Sequence, residues 1–236
     1  MYYKLKHAII GDIKIQYKYK FYHVGIFMMI LWVLILYNLP KELLKQYYAP
    51  FLLLNLNIGT FFFVGGLILF EKSERTLDAI LVSPLGFRRY VISKLVSLII
   101  LALVENTFIT IFLFGFVNVN WFNYLLSVIV ISVIYILFGI GLVVKYNGIS
   151  DFLFPAILFN FVLEFPSLYY FGLDYLPIIR YITPTGPGLL LADSIIGDFN
   201  VINSIFGISI SLIWIIVAFK YADRRFTRYI IRGEIS

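Results

Sequence analysis

Two carboxylates lie inside apolar stretches of the chain, where a charged group is costly. Glu105 is followed by Asn106 in one stretch, and Glu164 follows Asn160 by one helical turn in another. A charge at the centre of a bilayer costs about 2.5–3.5 kcal/mol on insertion scales, so each carboxylate should face other helices or water. These carboxylates and amides are therefore candidates for the polar lining of a substrate path or a proton-linked site. A buried structural hydrogen bond is the alternative interpretation for each carboxylate.

Residue types that support enzymatic chemistry are scarce. The chain has no cysteine, and His7 and His23 are its only histidines. It contains no His-Glu-x-x-His pair, no Gly-x-Ser-x-Gly elbow and no Gly-x-x-x-x-Gly-Lys-Ser/Thr loop for nucleotide phosphates. The lack of cysteine also excludes a disulfide scaffold and thiolate metal sites. We therefore expect no catalytic residue, no metal site and no cofactor in this chain.

A charge-dense interval at residues 70–95 separates two apolar segments. Within it, Leu77, Ile80 and Leu81 recur at helical spacing, which predicts a short amphipathic helix. Pro84 ends that helix because proline lacks an N–H and its ring clashes with the preceding turn. Aromatic and basic residues follow at positions 87–90, as is typical where a chain re-enters a membrane from the cytoplasm. The interval is either a docking element for a partner or an ordinary cytoplasmic loop.

The composition indicates a membrane protein. Apolar residues make up 61% of the chain and charged residues 14%, whereas soluble domains average roughly half and a quarter. Several apolar runs reach the ~20 residues that a helix needs to cross about 30 Å of hydrocarbon. Because unpaired backbone groups are not tolerated in lipid, the spans must be helices. The sequence predicts an all-α membrane protein with six transmembrane helices, at residues 21–39, 49–70, 91–117, 124–144, 152–171 and 201–219.

The two ends of the chain are basic. Residues 1–20 are expected to form an amphipathic helix that lies in the membrane interface with its lysines toward anionic headgroups. Asp12 in this helix is expected to be an exposed charge. Residues 21–219 then form the six-span domain, and residues 220–236 form a basic cytoplasmic tail.

The distribution of basic residues predicts the orientation. With the N-terminus in the cytoplasm, 16 of the 19 Lys and Arg residues are cytoplasmic, and only Lys41, Lys45 and Arg180 lie outside. Both termini and the interval 70–95 are then cytoplasmic. The positive charge faces a membrane surface, so we expect no nucleic acid partner.

The last outer loop, residues 172–200, is long and rich in proline, glycine and apolar clusters. It is too apolar for a free loop and too broken for a full span. It is expected to form short re-entrant or surface-lying helices between the fifth and sixth spans, or a loop folded over the bundle.

The interval 70–95 resembles the signature of ATP-binding-cassette type-2 membrane permeases. In that family a Glu-basic-Glu-x-Gly-Thr-Leu-Glu segment follows the second span, and a proline, basic residues and a lysine lead into the third. In this chain Ser73 stands where a second acid is common, and Arg75 stands where glycine is usual. The sequence EKSERTLDAILVSPL is also similar to small prokaryotic permeases that export fluoroquinolones. The matching positions are Glu71-Lys72-Ser73-Glu74-Arg75-Thr76-Leu77-Asp78, Ser83-Pro84, Arg88-Arg89-Tyr90 and Lys94.

The resemblance implies a function and a set of partners. In that family, the cytoplasmic helix between the second and third spans contacts a separate ATPase subunit, which binds ATP and Mg. Two permeases, identical or different, pair with two ATPase subunits and switch between inward- and outward-open states. The residues that the resemblance assigns to this coupling are Glu71, Glu74, Thr76, Leu77, Asp78 and Pro84. Ile80 and Leu81 join them as coupling candidates because they recur with Leu77 at helical spacing in the predicted amphipathic helix.

The sequence therefore predicts the permease subunit of an ATP-binding-cassette type-2 exporter in the cytoplasmic membrane of a prokaryote. Its substrate is expected to be hydrophobic or amphipathic, such as a drug or a lipid-like compound. The first alternative is a membrane-embedded small-molecule-binding transporter subunit that has no coupling helix of its own. The second alternative is an intramembrane enzyme, which would be active without an ATPase.

Overall fold

The computed structural model describes residues 2–77, 86–172, 178–196 and 201–233. The described residues are 87% helical and contain no strand. Among these residues, five helices are long and apolar enough to cross a membrane, or six if the bent pair at the N-terminus is counted as one span. The all-helical class and its multiple spans agree with the sequence.

The helices of the described residues are numbered in chain order. Their bounds are α1 (Tyr2–Lys18), α2 (Phe21–Tyr37), α3 (Lys41–Leu56), α4 (Phe63–Ser73), α5 (Gly86–Phe114), α6 (Trp121–Val143), α7 (Ile149–Glu164), α8 (Ile179–Ile182), α9 (Gly186–Asp193) and α10 (Val201–Phe226).

The second span is longer than the sequence predicted and is interrupted at its centre. Helix α3 begins at Lys41, directly after Pro40, because proline is well suited to a helix start, and the helix continues through Pro50. A π-helical turn, Asn57–Phe62, joins α3 to α4, so the helical path runs from Lys41 to Ser73 over 33 residues. The connection that was expected at residues 40–48 is therefore mostly helix. Single π turns of this kind are frequent at functional sites.

Helix α6 forms the centre of the bundle. It packs most extensively against α10 and also against α5, α9 and the π turn. Close approach to α10 requires Gly141, because a Cβ there would lie 2.3 Å from the ring of Tyr221. Helices α7 and α10 instead leave one long apolar face exposed, as expected for surfaces that meet lipid or another subunit.

The described part of the segment between the fifth and sixth spans contains two short helices. Pro166 removes a backbone donor, and the chain tightens into a 3₁₀ turn over Phe165–Phe171. Helix α9 is buried along its length and packs between α3, α6 and α10. It fits closely against α10 because Gly207 leaves room for the carbonyl of Pro187, which would lie 2.8 Å from a Cβ at that position.

Helix α1 meets α2 at a bend of 66°. Lys20 at the bend has φ +61°, a left-handed conformation that ends α1 and redirects the chain. The side of α1 that faces the bundle carries Asp12 and Gln16, which are buried, whereas Ile13 and Tyr17 are exposed. The expectation that Asp12 is an exposed charge is wrong, because α1 packs against α5 through this polar side.

Candidate functional site

Three helices meet at a buried cluster of charges at the end of the bundle that carries α1. Lys94 on α5 lies 2.5 Å from Asp12 on α1 and also pairs with Glu71 at the end of α4. Tyr90 donates a hydrogen bond to the second oxygen of Glu71 at 2.7 Å. All four side chains are buried. We call Asp12, Glu71, Tyr90 and Lys94 the ion cluster.

The ion cluster fixes α1, the second span and the third span relative to one another. Removing one member of such a buried group leaves an uncompensated charge, at a cost of about 3–5 kcal/mol. A second buried contact reinforces the joint, since Gln16 on α1 donates to Ser97 on α5 at 2.9 Å. Glu71 is 1% exposed and therefore cannot touch a partner protein directly.

The basic residue of the signature is also turned inward. The ammonium group of Lys72 donates to the carbonyl of Val144 at 2.7 Å and to that of Tyr146 at 2.6 Å. These carbonyls lie just beyond the end of α6, where a cation satisfies the unpaired acceptors of a helix C-terminus. Lys72 thus connects the charged interval to the fourth span.

Glu74 lies on the surface beside these buried groups. Its carboxylate accepts hydrogen bonds from Lys18 and Tyr19 on the last turn and end of α1. These hydrogen bonds hold the pKa of Glu74 below its ordinary value. The ring of Tyr19 also stacks on Phe70, with centroids 3.9 Å apart. Of the coupling residues that the sequence proposed, Glu74 is the exposed acid in the described part of the chain.

The backbone conformation of the turn after Glu74 explains why glycine is usual at position 75 of the signature. Arg75 has φ +56°, a left-handed conformation that costs a residue with a side chain about 1–2 kcal/mol. Thr76 closes the turn by donating to the carbonyl of Glu71 at 3.1 Å. Leu77 then returns to the core and is 2% exposed. The remaining proposed coupling residues, Asp78, Ile80, Leu81 and Pro84, lie outside the described residues.

A second polar group lies within the bundle around Glu164. Its carboxylate accepts hydrogen bonds from Tyr135 on α6 at 2.6 Å and from Asn57 in the π turn at 2.7 Å. Ser167 lies 3.5 Å from the other oxygen. Asn160 is one turn earlier on the same side of α7, but its amide donates to the carbonyl of Ala156 instead. The amide oxygens of Asn57 and Asn160 are buried, and no described residue donates to them.

A third polar group surrounds Glu105 on α5. Asn55 donates to Asn106 at 2.8 Å and also lies against the Glu105 carboxylate. This carboxylate faces two glycines, because a Cβ at Gly25 or at Gly59 would lie 3.7 or 3.6 Å from its Oε2 atom. The four predicted site residues thus lie in two separate polar groups, with Glu105 and Asn106 in one and Asn160 and Glu164 in the other.

The interrupted second span contributes to both carboxylate sites. Asn55 and Gly59 border Glu105, while Asn57 binds Glu164. Sequence reasoning did not identify Asn55, Asn57 or Tyr135 as site residues. The two asparagines inside an otherwise apolar span were the available signal, since intramembrane amides need partners.

At the opposite end of the bundle, Arg180 on α8 joins Asp193 at the end of α9. The guanidinium also donates to Tyr170 at 2.9 Å and lies 4.3 Å from the ring centre of Tyr169. Burial raises the pKa of Asp193, and Arg180 acts in the opposite direction. Among the described residues, no group of three His, Cys, Asp or Glu side chains comes together as a metal site.

Comparison with known proteins agrees with the resemblance carried by residues 71–94. The sequence model of the fluoroquinolones export permease protein family matches residues 3–234. Two Mycobacterium tuberculosis proteins named fluoroquinolones export permease protein, one from strain CDC 1551 and one from strain H37Rv, are each 28% identical over 190 residues, which is 80% of this chain and 79% of theirs. No solved structure matches the chain. The chain therefore belongs to the fluoroquinolones export permease protein family.

Proposed function

We propose that this permease is the membrane-spanning subunit of an ATP-binding-cassette type-2 exporter. The chain contains no nucleotide-binding loop, so a separate ATPase subunit would bind ATP and Mg. The observation that carries the proposal is the anchoring of the charged interval. Glu71 and Lys72 tie its beginning to α1 and to the second, third and fourth spans, while Glu74 stays exposed beside them.

This arrangement suits a coupling element. A partner that docks at Glu74 and the segment beyond it would push on a turn whose two ends are held in the bundle core, by Glu71 and by Leu77. Because packed helices switch between discrete arrangements, such a push would move whole spans. Glu71 then acts through Lys94 and Tyr90 rather than by contact with the ATPase.

The substrate path is proposed to pass the carboxylate sites. Glu105, Asn106, Asn160 and Glu164 supply polar groups inside a largely apolar bundle, and the π turn between them is the point at which the second span can most easily change shape. The family name makes a fluoroquinolone the first compound to test, within a wider class of hydrophobic or amphipathic substrates.

The assembly proposed is two permeases, identical or different, with two ATPase subunits in a prokaryotic cytoplasmic membrane. Both termini and the ion cluster then lie on the cytoplasmic side. The exposed apolar faces of α2, α7 and α10 would meet lipid or the second permease. Transport would proceed by alternating access, with no chemistry in this chain.

Co-purification in a mild detergent tests the docking site. A substitution at Leu77 is unsuitable because this side chain is buried in the core. Glu74→Lys should lose an ATPase subunit that purifies with the wild type, while Glu42→Lys, an exposed acid at the other end of the bundle, should retain it. Lys18→Gln separates the two roles of Glu74, which are the contact with α1 and the docking of the ATPase. It removes the Lys18 contact and leaves the Glu74 carboxylate in place, so it should retain the ATPase. Failure of any ATPase to purify with the wild type would contradict the proposal and favour a ligand-binding subunit.

A further inference from the structure

A cleft of about 400 Å³ opens at the end of the bundle opposite the ion cluster. Several connections converge there, because α3 begins, α5 ends and α6 begins at this end, and the backbone N–H of Asn120 donates to the carbonyl of Ile195 at 2.8 Å. The cleft has two charged groups and an otherwise mainly apolar wall. Its lining includes Lys41, Lys45, Leu113, Phe114, Asn118 and Ile196.

The two lysines are placed to share one ligand. They are four residues apart on the first turns of α3, so they lie on the same side of that helix. Glu42 lies three residues before Lys45, a spacing at which helical side chains are neighbours, but it forms no salt bridge with Lys45 or with Lys41 among the described residues. Asp193 lies near Lys45 in a small adjoining cavity, but its carboxylate is held by Arg180 and Tyr170. Neither ammonium group has an acidic partner within salt-bridge distance among the described residues.

These lysines do not stabilise the helix on which they lie. A helix N-terminus carries a partial positive charge, so cations in its first turns are unfavourable and anions are favourable. Pro40 precedes α3 and provides no side-chain cap. An anion in the cleft would compensate both ammonium groups and the unpaired amides at this helix start.

The surroundings of the cleft match the depth of lipid headgroups. Tyr37, Phe116 and Phe122 at this end of the bundle are each more than half exposed, at 70%, 66% and 65%. Trp121 lies among them, with its indole N–H bound to the carbonyl of Phe116 at 2.9 Å. A belt of exposed aromatic residues marks the boundary between hydrocarbon and water.

We propose that this cleft binds the anionic headgroup of a phospholipid in the leaflet opposite the ion cluster. The phosphate lies between Lys41 and Lys45, and the first part of an acyl chain lies along Leu113 and Phe114. Lipid binding explains why two of the few basic residues at this end of the bundle are four residues apart. It does not depend on the transported substrate or on an ATPase.

Native mass spectrometry of the purified full chain tests the site. Wild type is incubated with phosphatidylglycerol or with phosphatidylcholine of the same acyl chains. The wild type should retain phosphatidylglycerol preferentially, and K41Q/K45Q should bind it about 30-fold more weakly, since each of the two basic residues near a membrane surface contributes roughly 1 kcal/mol. The matched control K41R/K45R keeps both positive charges in the cleft and should bind as the wild type does.

Two outcomes would overturn the proposal. One is equal retention of phosphatidylglycerol by K41Q/K45Q and by the wild type. The other is that millimolar inorganic phosphate displaces the lipid and binds in its place, which would identify the site as one for soluble anions. Lipid binding that survives inorganic phosphate and is lost only in K41Q/K45Q supports the lipid source.

Discussion

Lys94 lies between two carboxylates at one end of the bundle, whereas Glu105 and Glu164 have neutral partners among the described residues. In the ion cluster a cation compensates the buried acids directly. In the bundle interior, amides and a tyrosine hydroxyl hydrogen-bond the carboxyl groups, and no described cation faces them. The two regions therefore place buried acids in very different surroundings.

The difference separates a joint from a candidate binding site. A buried pair of opposite charges is strongly destabilised when one partner is removed, so it holds its helices in one arrangement. A carboxyl group with only neutral donors keeps the capacity to accept a cation, a proton or a polar substrate. The unpartnered amide oxygens of Asn57 and Asn160 add to that capacity around Glu164.

The largest effect is expected at the joint. Lys94→Met should lower the free energy of unfolding by about 3–5 kcal/mol, because it leaves Asp12 and Glu71 buried without a cation. Thermal unfolding in detergent measures the loss. Lys14→Met on the exposed side of α1 is the control and should change stability little. If both variants unfold alike, the ion cluster does not hold the three helices together.

The bundle interior should respond in transport rather than in stability. Glu164→Gln keeps an acceptor for Asn57 and Tyr135, so we expect it to change the free energy of unfolding by less than about 1 kcal/mol. Export should fall about tenfold, since the charge is lost from the proposed path. Drug accumulation in cells measures export, with Glu42→Gln as the control. Normal export by Glu164→Gln would assign this carboxylate a structural role.

A smaller effect, in the stabilising direction, is expected at the turn beside the ion cluster. Arg75→Gly should raise stability by about 1 kcal/mol, because glycine adopts the left-handed conformation without strain. The matched control is Lys220→Gly, which places glycine in the exposed right-handed helix α10 and should lower stability by about 1 kcal/mol. Thermal unfolding distinguishes the two signs. A destabilised Arg75→Gly variant would mean that this side chain makes contacts that outweigh the strain.

The smallest effect concerns the surface contact of α1. Hydrogen bonds from Lys18 and Tyr19 lower the pKa of Glu74 in the folded protein. The contact therefore stabilises the docked α1 above the ordinary value of 4.5 and is lost as the pH falls through the lower folded pKa. The chain has no cysteine, so a spin label on a single cysteine at Lys14 can report the mobility of α1. Mobility should rise slightly between pH 7 and pH 3.5 in wild type. A Glu74→Gln variant should show no such change, and an equal pH response in both would point to another group.

The spans were predictable because each depends on a local run of apolar residues. The ends of the spans were harder to predict. Helix α3 begins at Lys41, directly after Pro40, because amphipathic helical turns precede the apolar run, and the sequence gave no clear signal for those turns. The π turn could not be predicted either, since the sequence of Asn57–Phe62 is typical of a membrane span apart from its asparagine.

The ion cluster could not be assembled from sequence because its members are far apart along the chain. Lys94 lies 82 positions from Asp12 and 23 from Glu71, and nothing local identifies which acid faces which base. The signature includes both Glu71 and Lys94, and it assigned a coupling role to Glu71, but it did not show that Glu71 is buried. The left-handed turn at Arg75 was signalled by the glycine that the resembling family usually has there.

ATP dependence of export by the assembled transporter is the most direct test of the account. Inside-out membrane vesicles containing this chain and the proposed ATPase subunit should accumulate a fluorescent fluoroquinolone when ATP is added. Accumulation should stop with a non-hydrolysable ATP analogue and persist when the proton gradient is collapsed. Accumulation that needs the proton gradient and ignores ATP would contradict the account.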